Sequence, residues 1–205
     1  MVIEAVLFDY SGVLTTSLHM PTDDVPYDPD ALFVEMAAAL ASTEPHRWHE
    51  LERGEISLVD FCAGVEALVP GASSLFAMDG AHNVMANLSL IDDRLALVGE
   101  LKAQGLRTGL VTNNVAEWQP FWLPRLPEWL FEIVIDSAGV GHRKPEPGIY
   151  ELAMQRLGIV EPSTVLFIDD FEWNVAGATD IGMVGLHCTA DLDLRCAVRS
   201  LVNLP

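Results

Sequence analysis

Residues Val2 to Phe8 form a short run that is apolar except at Glu4 and rich in β-branched side chains, the pattern of a strand covered on both faces. Runs of the same kind recur at Leu106 to Val111, Phe131 to Ile135, Thr164 to Ile168 and Met183 to His187. The intervening segments change period. Ile91 to Gln104, Glu146 to Leu157 and Phe171 to Ile181 space their apolar positions as helices do, and Gly105, Gly158 and Gly182 stand where such helices would stop. Strand alternates with helix, which predicts a parallel sheet with helices on both faces.

The segment from Thr15 to Ser89 breaks this rhythm. A turn-rich stretch, PTDDVPYDPD, is followed by helical patterns over Ala31 to Ala41, Pro45 to Arg53, Ser57 to Leu68 and Ser73 to Asn87, with no strand among them. The expected architecture is therefore an α/β, Rossmann-like core made of residues 1–15 and 90–205, with an inserted all-helical cap at 16–89. Ser57 and Asp60 have the spacing of a capping box, with Asp in place of the usual Glu. Trp48, Phe61, Leu68 and Met78 are expected inside the cap bundle. Between Trp118 and Trp129 the prolines at 120, 124 and 127 forbid one continuous helix, and the segment reads as packing or a self-association patch.

Composition narrows the function classes. About half of the 205 residues are apolar, enough for a substantial core, and the formal net charge is −19 with no Lys/Arg-rich block. Such a surface repels nucleic acid and anionic membranes, while a bound divalent cation suits it. No segment supplies eighteen uncharged apolar residues, and the N-terminus lacks a basic leader. Cys62, Cys188 and Cys196 are odd in number and have no C-x-x-C spacing, so they read as small core residues of a reducing compartment. A cytoplasmic monomer or homodimer is expected.

Ligands of open parallel sheets bind beyond the carboxyl ends of the strands, so the residues following each strand are the informative ones. Asp9 follows the first, Thr112, Asn113 and Asn114 the second, Lys144 lies after the third, and Asp169 and Asp170 follow the fourth. Singly, each is ordinary turn, cap or solvated-loop chemistry. Together they would bring acids, a hydroxyl, amides and an ammonium to one sheet edge, which is a site for an anion held by metal. His19 beyond the first strand, His46 and His49 with Glu50 on one helix, and His142 near Lys144 are lesser candidates, read as solvated or locally bonded.

These motifs resemble those of the haloacid dehalogenase superfamily: LFDYSGVL its first, LVTNN its second, HRKPEPGIY its third and VLFIDDFEWNVAGATDIGM its fourth. RGEIS in the insert and the spacing of Asp169, Asp170 and Asn174 are similar to the branch containing the phosphatase domain of soluble epoxide hydrolase. The resemblance implies a phosphatase or phosphotransferase whose Asp9 attacks phosphorus and forms an aspartyl-phosphate on a small phosphorylated metabolite. It implies that Thr112, the Asn113 backbone and Lys144 bind the phosphoryl group. Mg²⁺ would be held by Asp9, the Ser11 carbonyl and Asp170, with Asp169 in support, Asn174 fixing the loop and Gly12 allowing a sharp turn beside the phosphate.

Ser11 departs from that pattern. The resembled phosphatases carry a second Asp there as general acid and base, and a serine hydroxyl has no pKa near neutrality with which to replace it. Three readings follow: a slow Mg²⁺-dependent phosphatase favouring good leaving groups, a phosphate- and metal-binding regulatory protein, or a 2-haloacid dehalogenase. The third would leave the Asp169/Asp170 carboxylates uncompensated beside Asp9.

Overall fold

The protein is described here by a computed structural model covering residues 2–16, 35–36, 38–76 and 88–203. Its sheet has five strands: β1 (Ala5–Phe8), β2 (Arg107–Thr112), β3 (Ile133–Asp136), β4 (Val165–Asp169) and β5 (Val184–His187). They are all parallel, in the order β3-β2-β1-β4-β5. The longer helices are α1 (Arg47–Glu52), α2 (Leu58–Leu68), α3 (Asp92–Ala103), α4 (Pro147–Leu157), α5 (Glu172–Asp180) and α6 (Leu194–Leu201).

Central β1 shows why a continuous apolar run suits such a strand. Val6 and Phe8 enter one core cluster with Leu97 and Leu101 of α3 and Val198 of α6. Ala5 and Leu7 enter the other with Ile149 and Tyr150 of α4 and Ala178 of α5. The pleat sends alternate residues to opposite faces, and helices cover both, so neither set can be polar.

Several boundaries differ from expectation for physical reasons. β1 begins at Ala5 rather than Val2, and Val2 is exposed, because only from Ala5 onward are both neighbouring strands in register. Phe131 stays outside β3 and packs edge-on against Phe8. β5, at the sheet edge, is only half-buried. α4 ends as anticipated at Gly158, in the left-handed conformation. Cys188 is buried and Cys62 half-buried, but Cys196 on α6 is exposed, which corrects the reading of all three as core residues.

In the inserted segment, residues 38–41, α1, α2 and the 3₁₀ turn Ala72–Phe76 are described. The Ser57 side chain accepts from the Asp60 N–H, as a cap should, while the Asp60 carboxylate meets the Ser57 hydroxyl. The reciprocal bond of a full capping box is absent because Asp is one methylene shorter than Glu. Phe61 is fully buried, but Leu68, the last residue of α2, is 47% exposed, contrary to expectation. Met78, His19 and the PTDDVPYDPD stretch lie outside the described residues.

The chain leaves and rejoins the sheet side by side. Thr15 and Leu90 form an antiparallel bridge, flanked by Thr16 N–H donating to Ser89 O (2.9 Å) and Ile91 N–H to Leu14 O (2.9 Å). The Trp/Pro segment is broken, as its prolines require, into a short helix, Gln119–Trp122, and 3₁₀ turns. Two of its tryptophans pack inward: the Trp118 ring centroid lies 6.4 Å from those of Trp48 and Phe76, and Trp122 lies 5.1 Å from Tyr10. Trp129 is the exposed member. No helix among the described residues is long and apolar enough to cross a membrane.

Candidate active site

The strand order reverses direction between β1 and β4, so the loops leaving these adjacent strands diverge and open a crevice at their carboxyl ends. Asp9 leaves β1 at this point and Asp169 ends β4. Backbone pairing continues to the rim, where Asp9 N–H donates to Ile168 O (2.9 Å).

The third loop brings a cation between these acids. Lys144 Nζ lies 2.7 Å from Asp9 Oδ1 and donates to Asp169 Oδ2 at 2.6 Å, and the exposures of the three residues are 1%, 5% and 0%. The lysine chain crosses the face of Phe167, with Nζ 5.7 Å from the ring centroid. Asp170 completes a cluster in which one carboxylate oxygen each from Asp9, Asp169 and Asp170 lies within 4.8 Å of the others. Burial pushes the Asp9 carboxyl up to about 7; the charges of Asp169 and Asp170 add to this and Lys144 opposes it. Burial alone would lower the Lys144 pKa, but the two acids outweigh it and hold that pKa above the usual lysine value.

Each supporting residue has a visible contact. Asn113 grips the lysine's main chain: its Oδ1 accepts from Lys144 N–H (2.7 Å) and its Nδ2 donates to Lys144 O (2.9 Å). Asp169 Oδ1 accepts from Phe171 N–H (2.9 Å) and Asn174 Nδ2 (3.0 Å), so its oxygens are committed to holding the loop and the lysine. Asn174 O in turn accepts from the Tyr150 hydroxyl at 2.7 Å. Thr112 is buried at the end of β2. Ser11 lies half-buried in the turn after Asp9. Gly12 has φ +78°, and a Cβ there would lie 2.0 Å from Asp170 Oδ2, so both backbone conformation and space exclude a side chain.

The donor set fits a hard divalent cation. Three carboxylates with an oxygen each within 4.8 Å of the others, joined by one ammonium and by no sulfur or imidazole in the group, form an oxygen site with excess negative charge. Among the described residues this is the single group of acids, histidines and cysteines close enough to share an ion. His46 and His49 do not form another. Their rings stack at 4.0 Å, half-buried rather than solvated, and burial followed by the nearby Arg143 charge pushes His49 down to about 4. His142 is exposed, its ring against Gly148.

Sequence reading missed three features. The Asn113 side chain serves Lys144, whereas only its backbone had been considered. Asp136, at the end of β3, is pushed up to about 6 by burial and caps the turn Ser137–Val140. Glu52, on α1, is buried and accepts a hydrogen bond from Arg143 Nε. Its signal was an acid four residues after Trp48 and next to Leu51, on the apolar side of an amphipathic helix.

Comparison with known proteins agrees with this geometry. The sesquiterpene phosphatase astK of Aspergillus oryzae is 30% identical over 98% of this chain and 97% of its own. Longer relatives match in part: mouse acyl-CoA dehydrogenase family member 10 is 27% identical over 87% of this chain, which spans 17% of that protein. Rat bifunctional epoxide hydrolase 2 is 35% identical over 57% of this chain, which spans 21% of it. Among solved structures, the magnesium complex of a HAD family enzyme from Bacteroides thetaiotaomicron superposes with a TM-score of 0.69 at 21% identity, covering 97% of this chain and all of that one. The sequence profile described as haloacid dehalogenase-like hydrolase matches residues 3–182, nearly the whole stretch that carries the sheet and the acid cluster, and the chain belongs to that family of hydrolases.

Proposed function

We propose that the protein is a Mg²⁺-dependent phosphatase or phosphotransferase that works through an aspartyl-phosphate on Asp9, with weakened acid catalysis because Ser11 stands where a carboxylic acid would serve. The observation that carries this reading is the placement of the buried Lys144 ammonium between Asp9 and Asp169, with Asp170 beside them. Such a cluster is matched to an anionic group that brings its own cation. The relative named as a phosphatase over its whole length supports the same substrate chemistry. A dehalogenase would have to keep the three carboxylates together for no purpose, at the cost of their repulsion.

Asp9, the Ser11 carbonyl and Asp170 would hold Mg²⁺, with Asp169 supporting them through Lys144. When bound, the ion offsets charge on the phosphoryl oxygens and favours ionised Asp9. The Asp9 carboxylate attacks phosphorus, the P–O bond to the leaving group breaks, and that oxygen departs with the bonding pair. Thr112 and the Asn113 N–H bind phosphoryl oxygens, while Lys144 balances the nucleophile's charge. Water then attacks phosphorus, releasing phosphate and regenerating Asp9. Ser11 can offer a hydrogen bond to the leaving oxygen but no poised proton, which forfeits roughly 10²–10⁴-fold on leaving groups that need one.

Residues 1–15 and 90–205 form the catalytic core in this reading, and residues 16–89 a cap that selects the small phosphorylated substrate; Thr15 and Leu90 lie where the two would hinge. The free thiols suit a cytoplasmic enzyme. The test is a series of phosphomonoesters with graded leaving-group pKa, assayed with Mg²⁺. Aryl esters should turn over far faster than alkyl esters, Asp9→Asn should abolish both, and Ser11→Asp should raise alkyl turnover more than aryl. Equal rates on both classes would refute the missing-acid argument. Absence of turnover with retained binding of Mg²⁺ and vanadate would make the protein a phosphate-binding regulator.

A further inference from the structure

The loop that delivers Lys144 is held from two sides. On the core side, Asn113 brackets the lysine's backbone. On the other side stand consecutive residues of the inserted segment. Glu52, the last residue of α1, accepts from Arg143 Nε, and Arg53 Nη1 donates to Glu146 Oε1 at 2.9 Å. The loop itself is closed by Glu146 N–H donating to Arg143 O at 2.8 Å. The fit is close: a Cβ on Gly54 would lie 2.3 Å from Ala138 O.

The inner pair differs from the outer one. Glu52 is only 6% exposed, whereas Arg53 and Glu146 meet near the surface. Burying a carboxylate and a guanidinium costs desolvation that their attraction barely returns, so such a pair is a poor choice for mere adhesion. Adhesion is already provided by the contacts of Trp48 and Phe76 with Trp118 and by Glu117, which accepts from Leu58 N–H at 2.9 Å. What the inner pair adds is position. Arg143 directly precedes Lys144, and Glu52 is near enough for the Lys144 charge to act on it.

We infer that Glu52 is a positioning residue: from the inserted segment, through Arg143, it holds Lys144 in the placement that sets its ammonium between Asp9 and Asp169. The nucleophile's cationic partner is therefore complete only when the insert is seated. This inference rests on Lys144 serving the phosphatase chemistry proposed above, but its first readout needs no turnover. The chain contains two lysines, Lys102 and Lys144. Lysine labelled with ¹³C at Cε gives a Lys144 signal displaced by the Phe167 ring and a Lys102 signal from a side chain that donates to Trp129 O as internal reference.

Glu52→Gln should move the Lys144 signal, leave that of Lys102 in place, and leave acrylamide quenching of the tryptophans unchanged. With an aryl phosphate and Mg²⁺ its kcat should fall about 10-fold or more, with KM within about threefold, as expected when a reacting group is misplaced by a fraction of an ångström. The double variant Glu52→Gln/Arg143→Met should be no worse than the poorer single one, because the effect of each on Lys144 runs through the contact between them. Should Glu52→Gln not fold, Glu52→Asp, which keeps the charge but shortens the reach to Arg143 by one methylene, gives the same readings. An unmoved Lys144 signal, or losses that add in the double variant, would overturn the inference, as would quenching that rises in step with lost activity. Wild-type protein that never turns over would sink the phosphatase reading while leaving the spectroscopic result to stand.

Discussion

Replacing Lys144 by methionine keeps an unbranched apolar stem and deletes the charge that sits 2.7 Å from Asp9 and 2.6 Å from Asp169. Both carboxylates are almost inaccessible to water, and Asp170 lies within the same cluster. Removing one partner of a buried ion pair costs about 3–5 kcal/mol, because the remaining charge is left uncompensated. The site can limit that loss by taking up a proton. With the lysine present, burial already holds Asp9 at about 7, and without it the pKa rises further. At pH 8, where the wild-type carboxyl is mostly ionised, urea unfolding of the metal-free variant should show a loss of about 3–5 kcal/mol. At pH 5, where Asp9 carries its proton in both proteins, the loss should shrink to roughly half that or less. Mg²⁺ should restore part of the deficit at pH 8, since it supplies positive charge at the same place. A loss under about 1 kcal/mol at pH 8, or equal losses at both pH values, would refute the account of Lys144 as the charge that lets these acids be buried together.

Gly12→Ala should cost roughly 1–2 kcal/mol from the positive φ alone, and should weaken Mg²⁺ binding by displacing the Asp170 carboxylate; unchanged thermal midpoints with and without Mg²⁺ would contradict this. Asp9 holds its proton more tightly in the folded protein, at about 7, than an ordinary exposed aspartate does at 3.8. Its contribution is therefore complete below about pH 4 and lost as pH rises through 7, so metal-free Asp9→Asn should lack that part of the decline. His49, pushed down to about 4, acts in the opposite direction in both proteins, which is why the difference between them is the quantity to measure. Trp118→Ala should destabilise by about 3 kcal/mol and speed tryptic cleavage after Arg47 and Arg53, because Trp118 is the core residue against which Trp48 and Phe76 pack; unaltered cleavage would show that the insert is seated by other contacts.

The apolar runs, the glycine stops and the order of motifs are local properties, and they determined the α/β class, the parallel sheet and the membership of Asp9, Lys144, Asp169 and Asp170 in one site. A buried parallel strand must be apolar on both faces, and a helix must be closed, so each leaves a mark in consecutive residues. The departure at Ser11 was equally visible, since it concerns the chemistry of one side chain. Partnerships between distant residues leave no such mark. That Asn113 would grip Lys144 by its backbone, that Arg143 would meet an acid from α1, and that Trp118 would pack across to Trp48 depended on how loops from different strands came together. The same holds for the acidity of Asp9. Its composition is that of any aspartate, and only its burial, with the charges of Asp169 and Asp170 adding to it and that of Lys144 opposing it, moves its proton affinity toward neutrality.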